Sequence, residues 1–411
     1  MKSNAEVEKK FLKDPLPFIE EARGILNGVV RRTPTERSRT FSRILKGNVY
    51  LKMEVLQSTG SFKIRGAYNK IYHLPDSVRR RGVVASSTGN HAQGVAYAAS
   101  LFDIPATIVM PRNTAIPKIE ATRGYGAKVV LAGNNLTEAY EHAQKIVEKE
   151  GMTLIHPYDD PYIIAGQGTI GLEIMEDVPE GEHIVVPVGG GGLITGIAIA
   201  AKSVKEDVKV TGVQAKGACA FYISRKAGRL METPSVHTIA DGIAVKTPGR
   251  LTLELSSRYV DQVTTVDDEE ISGAILMLME RAKLMVEGAG AASLAASLYG
   301  KIDVQGTTSI FLLSGGNIDP MVVARIIEKG LLKAGRILFI RCLLPDRPGE
   351  LSDVLRMVSD LEGNVREISV SRLSPQAPLN QAVLELTVET KGCNHSQEVL
   401  HRLKNSGIKL L

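Results

Sequence analysis

The sequence predicts an α/β protein in which a body built on parallel sheet is followed by a small α+β tail. Between residues 82 and 157, short β-branched runs alternate with helical stretches. Strands separated by helices require right-handed crossovers, which make a parallel sheet. Several apolar runs end in small hydroxyl residues or glycines where a helix begins, and ligands gather at those ends of parallel strands. From residue 337 the rhythm changes to strand, helix, two strands, helix and a last short strand.

In chain order, a helical apolar period over 16–30 leads into extended chain at Arg31-Arg32-Thr33-Pro34-Thr35. A strand over 48–55 follows, and Gln57-Ser58-Thr59-Gly60-Ser61 supplies turn and N-cap chemistry for a helix running through Tyr68 and Ile71. Lys63 then falls in a first helical turn, where the helix dipole and Arg65 disfavour the ammonium form and favour the amine that condenses with an aldehyde. A surface lysine near a helix cap is the ordinary alternative.

Three further stretches count against that alternative. Ser86-Ser87-Thr88-Gly89-Asn90-His91 follows the strand at 83–86 and opens a helix, leaving backbone N–H groups that suit a carboxylate or phosphate. The buried strand at 184–188 runs into Gly189-Gly190-Gly191-Gly192-Leu193 and a helix, where glycine lets the backbone approach a phosphate on several donors. A strand at 309–313 ends in Ser314-Gly315-Gly316-Asn317. A nucleotide loop lacks its usual companions: the glycine run at 189–192 has no Gly-Lys-Ser/Thr ending, and its spacing is not Gly-x-Gly-x-x-Gly followed by a suitably placed acidic residue after the next strand.

The ordered set resembles the pyridoxal-phosphate enzymes of fold type II, specifically the serine/threonine dehydratases, over about residues 15–330. The resemblance implies a tryptophan-synthase-β-like, two-lobed catalytic domain over 1–331, with a small lobe at about 50–155 inserted in the large one, and pyridoxal 5'-phosphate as cofactor. Lys63 resembles the lysine that condenses with the cofactor, with Phe62 beside it. Asn90 resembles the partner of the ring hydroxyl, and Gly189, Gly190, Gly191, Gly192 and Leu193 the phosphate cup. Ser314 resembles the residue facing the pyridine nitrogen. Ser87, Thr88, Gly89 and His91 match the loop that binds the substrate carboxylate.

Several residues read more plainly. His91 is expected to be a hydrogen-bonding prop rather than a general base, since Lys63 already offers one. Gly166, Gly168 and Gly171 mark a helix start packed closely on the sheet. Relatives that bind a divalent cation carry carboxylates where this chain has Gln214 and Ala220, so no divalent metal is expected there, a monovalent ion held by carbonyls being the open alternative. Asp241 pairs with a cation or caps a turn, and Glu287 lies in a small-residue helix stretch able to line the site.

After a linker at 332–336, the tail over 337–411, with Asp346-Arg347-Pro348-Gly349 before its first helix, resembles the ferredoxin-like ACT domain, an amino-acid-sensing module. An amino-acid effector such as isoleucine or valine is the expectation, and a tail serving only assembly the alternative. The net charge of +5 is spread along 411 residues, so neither nucleic acid nor membrane is an expected partner. Cys219, Cys342 and Cys393 show no metal-ligand spacing and read as buried thiols of a reducing, cytoplasmic compartment. The resemblance adds a homodimer or homotetramer.

By the same resemblance, the activity is β-elimination from L-threonine and L-serine. A neutral Ser314 hydroxyl cannot hold the pyridine nitrogen protonated, which favours prompt loss of the β-hydroxyl over racemisation. Thr88 stands where racemases use a serine base. A serine racemase and a non-catalytic amino-acid sensor are the alternatives.

Overall fold

In the computed structural model, which describes residues 4–411, the chain divides into two compact units, one ending at Ile318 and one spanning Asp319–Leu411. The first unit contains strands β1 (Thr35–Arg37), β2 (Asn48–Met53), β3 (Val83–Ser86), β4 (Ala106–Met110), β5 (Lys128–Leu131), β6 (Thr153–Leu154), β7 (His183–Pro187), β8 (Lys209–Ala215), β9 (Gln262–Val266) and β10 (Thr308–Leu313). They form a six-stranded sheet in the order β1-β2-β10-β7-β8-β9 and a four-stranded sheet in the order β5-β4-β3-β6. All neighbours run parallel except β1 against β2. β2 therefore belongs to the larger sheet, and the smaller sheet starts at β3.

β7 and β10 are buried along their whole length, as suits unbroken apolar runs in a sheet covered on both faces. β2 stops two residues before the expected end at 55. Glu54 turns inward there in a short 3-10 turn, Glu54–Leu56, because its carboxylate has buried partners described below.

The helix Pro161–Asp177 starts before the expected glycines. Asp160 caps it by accepting from the backbone N–H groups of Tyr162 and Ile163. Gly168 and Gly171 lie within it, where an added Cβ would come within 2.9 Å of Gly196 O and 2.7 Å of Ile197 O. This helix and Gly192–Val204 thus meet backbone to backbone, and the close approach outweighs glycine's poor helix propensity. The helix from Leu16, expected to reach residue 30, ends at Leu26 and is preceded by a helix at Asn4–Lys13.

In the second unit β11 (Ile337–Pro345), β12 (Asn364–Ser371), β13 (Gln381–Glu389) and β14 (Lys409–Leu410) form an antiparallel sheet in the order β12-β13-β11-β14. Helices Glu350–Asp360 and Cys393–Asn405 bury Val354, Val358, Val399 and Leu403 with Ile340, Leu384 and Leu386 of the sheet. The helix Pro320–Lys333 groups with this unit.

The expectation of three buried thiols is corrected. All three are free, but only Cys342 is buried; Cys219 is intermediate and Cys393, at a helix start, is exposed. Among the described residues no helix is long and apolar enough to cross a membrane.

Candidate active site

The four stretches converge on one region of the first unit. The helix Lys63–Tyr72 starts at Lys63 without a side-chain cap. Ser61, expected to contribute capping chemistry, instead forms a bridge with Gly315 just beyond β10, and its buried Oγ has no protein partner. Phe62 N donates to Ser314 O at 3.1 Å and Gly316 N to Gly60 O at 2.9 Å. The segment leading into Lys63 is thereby fastened to the end of β10.

Lys63 is half-buried, and its Nζ donates to Pro157 O at 2.8 Å. Burial lowers its pKa to about 8, against the opposing pull of Glu287. This corrects the expectation that Arg65 and the helix dipole perturb it. Arg65 is itself buried and fully occupied: Nε and Nη2 reach both oxygens of Glu54 at 2.9 and 2.8 Å. Nη1 and Nη2 reach both oxygens of Glu173 at 2.6 and 3.0 Å. Lys52 Nζ joins at 2.7 Å from Glu173 Oε2 and from Thr33 O. Burial would raise the Glu54 carboxyl, but Arg65 outweighs it and keeps Glu54 ionised. The network pins the helix that carries Lys63.

Asn90 opens the helix Asn90–Leu101, which packs so closely on the lysine that a Cβ on Gly94 would lie 3.1 Å from that of Lys63. Its Nδ2 donates to Glu287 Oε1 at 2.7 Å, and its Oδ1 accepts from Asn317 Nδ2 at 2.7 Å. Burial raises the Glu287 carboxyl to about 7, opposed by the Asn90 hydrogen bond and reinforced by Asp241. Asp241 is mostly exposed and pairs with Lys118 at 2.7 Å.

His91 is buried and its Nε2 engages Ile155 O at 2.8 Å. Burial, with the Lys63 charge, lowers its pKa to about 3, so it is neutral. This is the arrangement of a prop. Ser87 Oγ accepts from Gly89 N at 3.3 Å. The backbone N–H groups of Thr88, Asn90 and His91 meet no protein acceptor among the described residues, and neither does the buried Ser86 Oγ.

The glycine run joins the lysine through the loop that follows Ile155. Next to Pro157, the Tyr158 ring packs where a Cβ on Gly190 would come within 2.3 Å of it, and Tyr158 Oη donates to Thr247 O. Gly191, at φ +99°, turns the chain into the helix Gly192–Val204. The N–H groups of Gly190, Gly191, Gly192 and Leu193 have no acceptor among the described residues, leaving a nest of donors at a helix N-terminus that fits a phosphate. Gln214 is committed elsewhere, donating to Gly189 O and accepting from Tyr222 N. With a half-buried amine of lowered pKa, an amide on a carboxyl and open donor sets at two helix starts, the residues fit an aldehyde cofactor bearing a phosphate.

Tyr158, Pro157 and the bonding role of Asn317 escaped the sequence reading. The only local signal in that loop, Asp159-Asp160-Pro161, announces a helix start.

Residues 26–315 match the model of the family "Pyridoxal-phosphate dependent enzyme". The chain is 52% identical to an L-threonine ammonia-lyase of Thermotoga maritima, over 93% of this chain and 96% of that protein. Among solved structures, the processed form of threonine deaminase isoform 2 from Solanum lycopersicum is 36% identical with a TM-score of 0.74, covering 78% of this chain and 93% of that one. Maize serine racemase is 37% identical with a TM-score of 0.72, covering 77% and 98%.

Proposed function

Since the chain belongs to the family of pyridoxal-phosphate dependent enzymes, we propose that it is a threonine ammonia-lyase, converting L-threonine to 2-oxobutanoate and ammonia and L-serine to pyruvate and ammonia. The observation that carries this reading is the Lys63 amine, held by Pro157 O with its pKa lowered to about 8 and pinned beside Asn90 and the β10 end. When bound, pyridoxal phosphate supplies an aldehyde for the substrate amine and a conjugated ring that accepts the electron pair released at Cα.

The chain's own residues do the rest. Lys63 takes the Cα proton, and its pKa, lowered to about 8, leaves about a tenth of it neutral at pH 7, far more than an ordinary lysine has. Asn90 would donate to the ring hydroxyl, and the N–H groups of Gly190, Gly191, Gly192 and Leu193 would hold the phosphate. Ser314 would face the ring nitrogen with a neutral hydroxyl. The N–H groups at Thr88, Asn90 and His91 receive the substrate carboxylate, with Ser87 and Gly89 shaping their loop. The hydroxyl leaves with a proton as water, and hydrolysis of the resulting enamine returns one water and releases ammonia.

The second unit is read as an ACT-like regulatory module binding isoleucine or valine, supported by its strand and helix order and by Gly349, whose φ of +96° turns Asp346-Arg347-Pro348 into a helix. A homodimer or homotetramer in the cytoplasm completes the reading, the latter supported by three unpaired thiols.

The test is 2-oxo acid release from L-threonine and L-serine by the holoenzyme and by Lys63→Ala, with D-serine assayed alongside and isoleucine and valine added in parallel. Turnover lost in the variant supports the lyase. Undiminished turnover there removes Lys63 from the reaction, and D-serine as main product makes it a racemase.

A further inference from the structure

Asn317 lies beyond β10 and uses one nitrogen twice: Nδ2 donates to Thr59 O at 2.9 Å and to Asn90 Oδ1 at 2.7 Å. A backbone carbonyl only accepts, so Thr59 fixes which end of the Asn317 amide faces it. The second N–H is then committed to Asn90, whose oxygen is thereby turned toward Asn317. Asn90 Nδ2 consequently points to Glu287. One hydrogen of that NH2 serves Glu287, and the other meets no acceptor among the described residues. The seat of Asn317 is closed to a larger neighbour, since a Cβ on Gly60, at φ +70°, would lie 2.6 Å from Asn317 Oδ1.

We propose that Asn317 is a positioning residue for the cofactor: it selects the orientation in which Asn90 presents an N–H, and not its carbonyl oxygen, to the ring hydroxyl. The proposal rests on the assignment of Asn90 given above. Glu287 cannot enforce this orientation alone. An ionised carboxylate accepts only from the Asn90 NH2, but a protonated one can donate to the Asn90 oxygen in the flipped orientation, and burial brings Glu287 to that change near neutrality. Asn317 has no such ambiguity, because its orientation derives from the main chain.

The experiment measures pyridoxal phosphate affinity of the full-length apo-protein, and the visible absorbance of the loaded protein against pH, for Asn317→Asp. This variant keeps the shape and removes both donors. It is expected to weaken binding about tenfold, as for loss of one buried hydrogen bond to a polar partner, and to give an absorbance change near neutral pH that the parent lacks. In an Asn90→Ala background the same substitution should change affinity less than about twofold, since coupled residues are non-additive. If Asn317→Asp does not fold, Asn317→Ala removes the donors without adding charge, and the same cycle applies. Unchanged affinity and spectrum, or an equal loss with and without Asn90, would overturn the proposal; the latter would confine Asn317 to holding the Thr59 loop. A parent protein whose cofactor band survives Lys63→Ala would instead undo the cofactor assignment itself.

Discussion

Lys63 Nζ and Pro157 O lie 2.8 Å apart in a half-buried setting, and this carbonyl is the only hydrogen-bond acceptor of the amine among the described residues. A carbonyl dipole compensates an ammonium incompletely, so burial prevails and the pKa falls to about 8.

Capture of pyridoxal phosphate by the apo-protein should therefore accelerate with pH to a midpoint near 8, well below an ordinary lysine. Stability follows with a definite sign. Between about 8 and 10.5 the unfolded chain holds a proton that the folded chain has lost, so apo-protein stability rises with pH across that window, by up to about 3 kcal/mol. Lys63→Met should remove both trends and stabilise the apo-protein at pH 7. Stopped-flow absorbance and urea unfolding at several pH values check this; a capture midpoint near 10.5 would contradict it.

Glu54→Gln should destabilise the first unit by about 3–5 kcal/mol, because it leaves Arg65 buried with half its charge compensation. Arg65→Lys should also destabilise, since an ammonium cannot reproduce two bidentate forks. Chemical denaturation of the apo-protein reads both. If either variant unfolds like the parent, the network does not pin the lysine helix.

Gly190→Ala places a methyl within 2.3 Å of the Tyr158 ring and should cost about 1–3 kcal/mol through overpacking, with weaker cofactor retention. Gly24→Ala is the control. It lies in the helix Leu16–Leu26 with nothing near its Cβ direction, and should stabilise by up to about 1 kcal/mol. Melting temperatures and cofactor loss on dialysis separate the two.

His91→Gln should lower kcat less than about tenfold, since an amide can still engage Ile155 O, whereas loss of a general base costs about a hundredfold or more. His91 is neutral above about pH 3, so the acidic limb of the kcat/KM profile should be the same in parent and variant. A limb that disappears in His91→Gln would assign the histidine a proton-transfer role.

Much of this arrangement was legible in the residues. Strand β3 falls at its expected position, because β-branched runs bounded by turn residues leave little choice of register. The glycines before the helix Gly192–Val204 and the Ser314-Gly315-Gly316 strand end were readable because exposed donors at a helix or strand end require such residues. What escaped was whatever depends on distant partners. The role of Arg65 was misjudged because Glu54 and Glu173 neutralise it, and Glu173 lies over a hundred positions away. Asn317 and Tyr158 carry no local pattern; their roles come from Asn90 and Gly190, which no periodicity connects to them. Gly168 looked like a helix opening and is a crossing point.

The placement of β10 between β2 and β7 also bears on how the molecule is made. The strand at the middle of the larger sheet is the last of that sheet to be synthesised, and it must join partners that left the ribosome long before. Such non-local pairing is slow and leaves strand edges open in the meantime. A nascent chain shorter than residue 317 lacks part of the contacts around Lys63 and Asn90, so the cofactor finds its full seat only after the first unit has been released almost entire. Mutations that loosen β10 should accordingly lower the yield of folded protein more than they change its melting temperature.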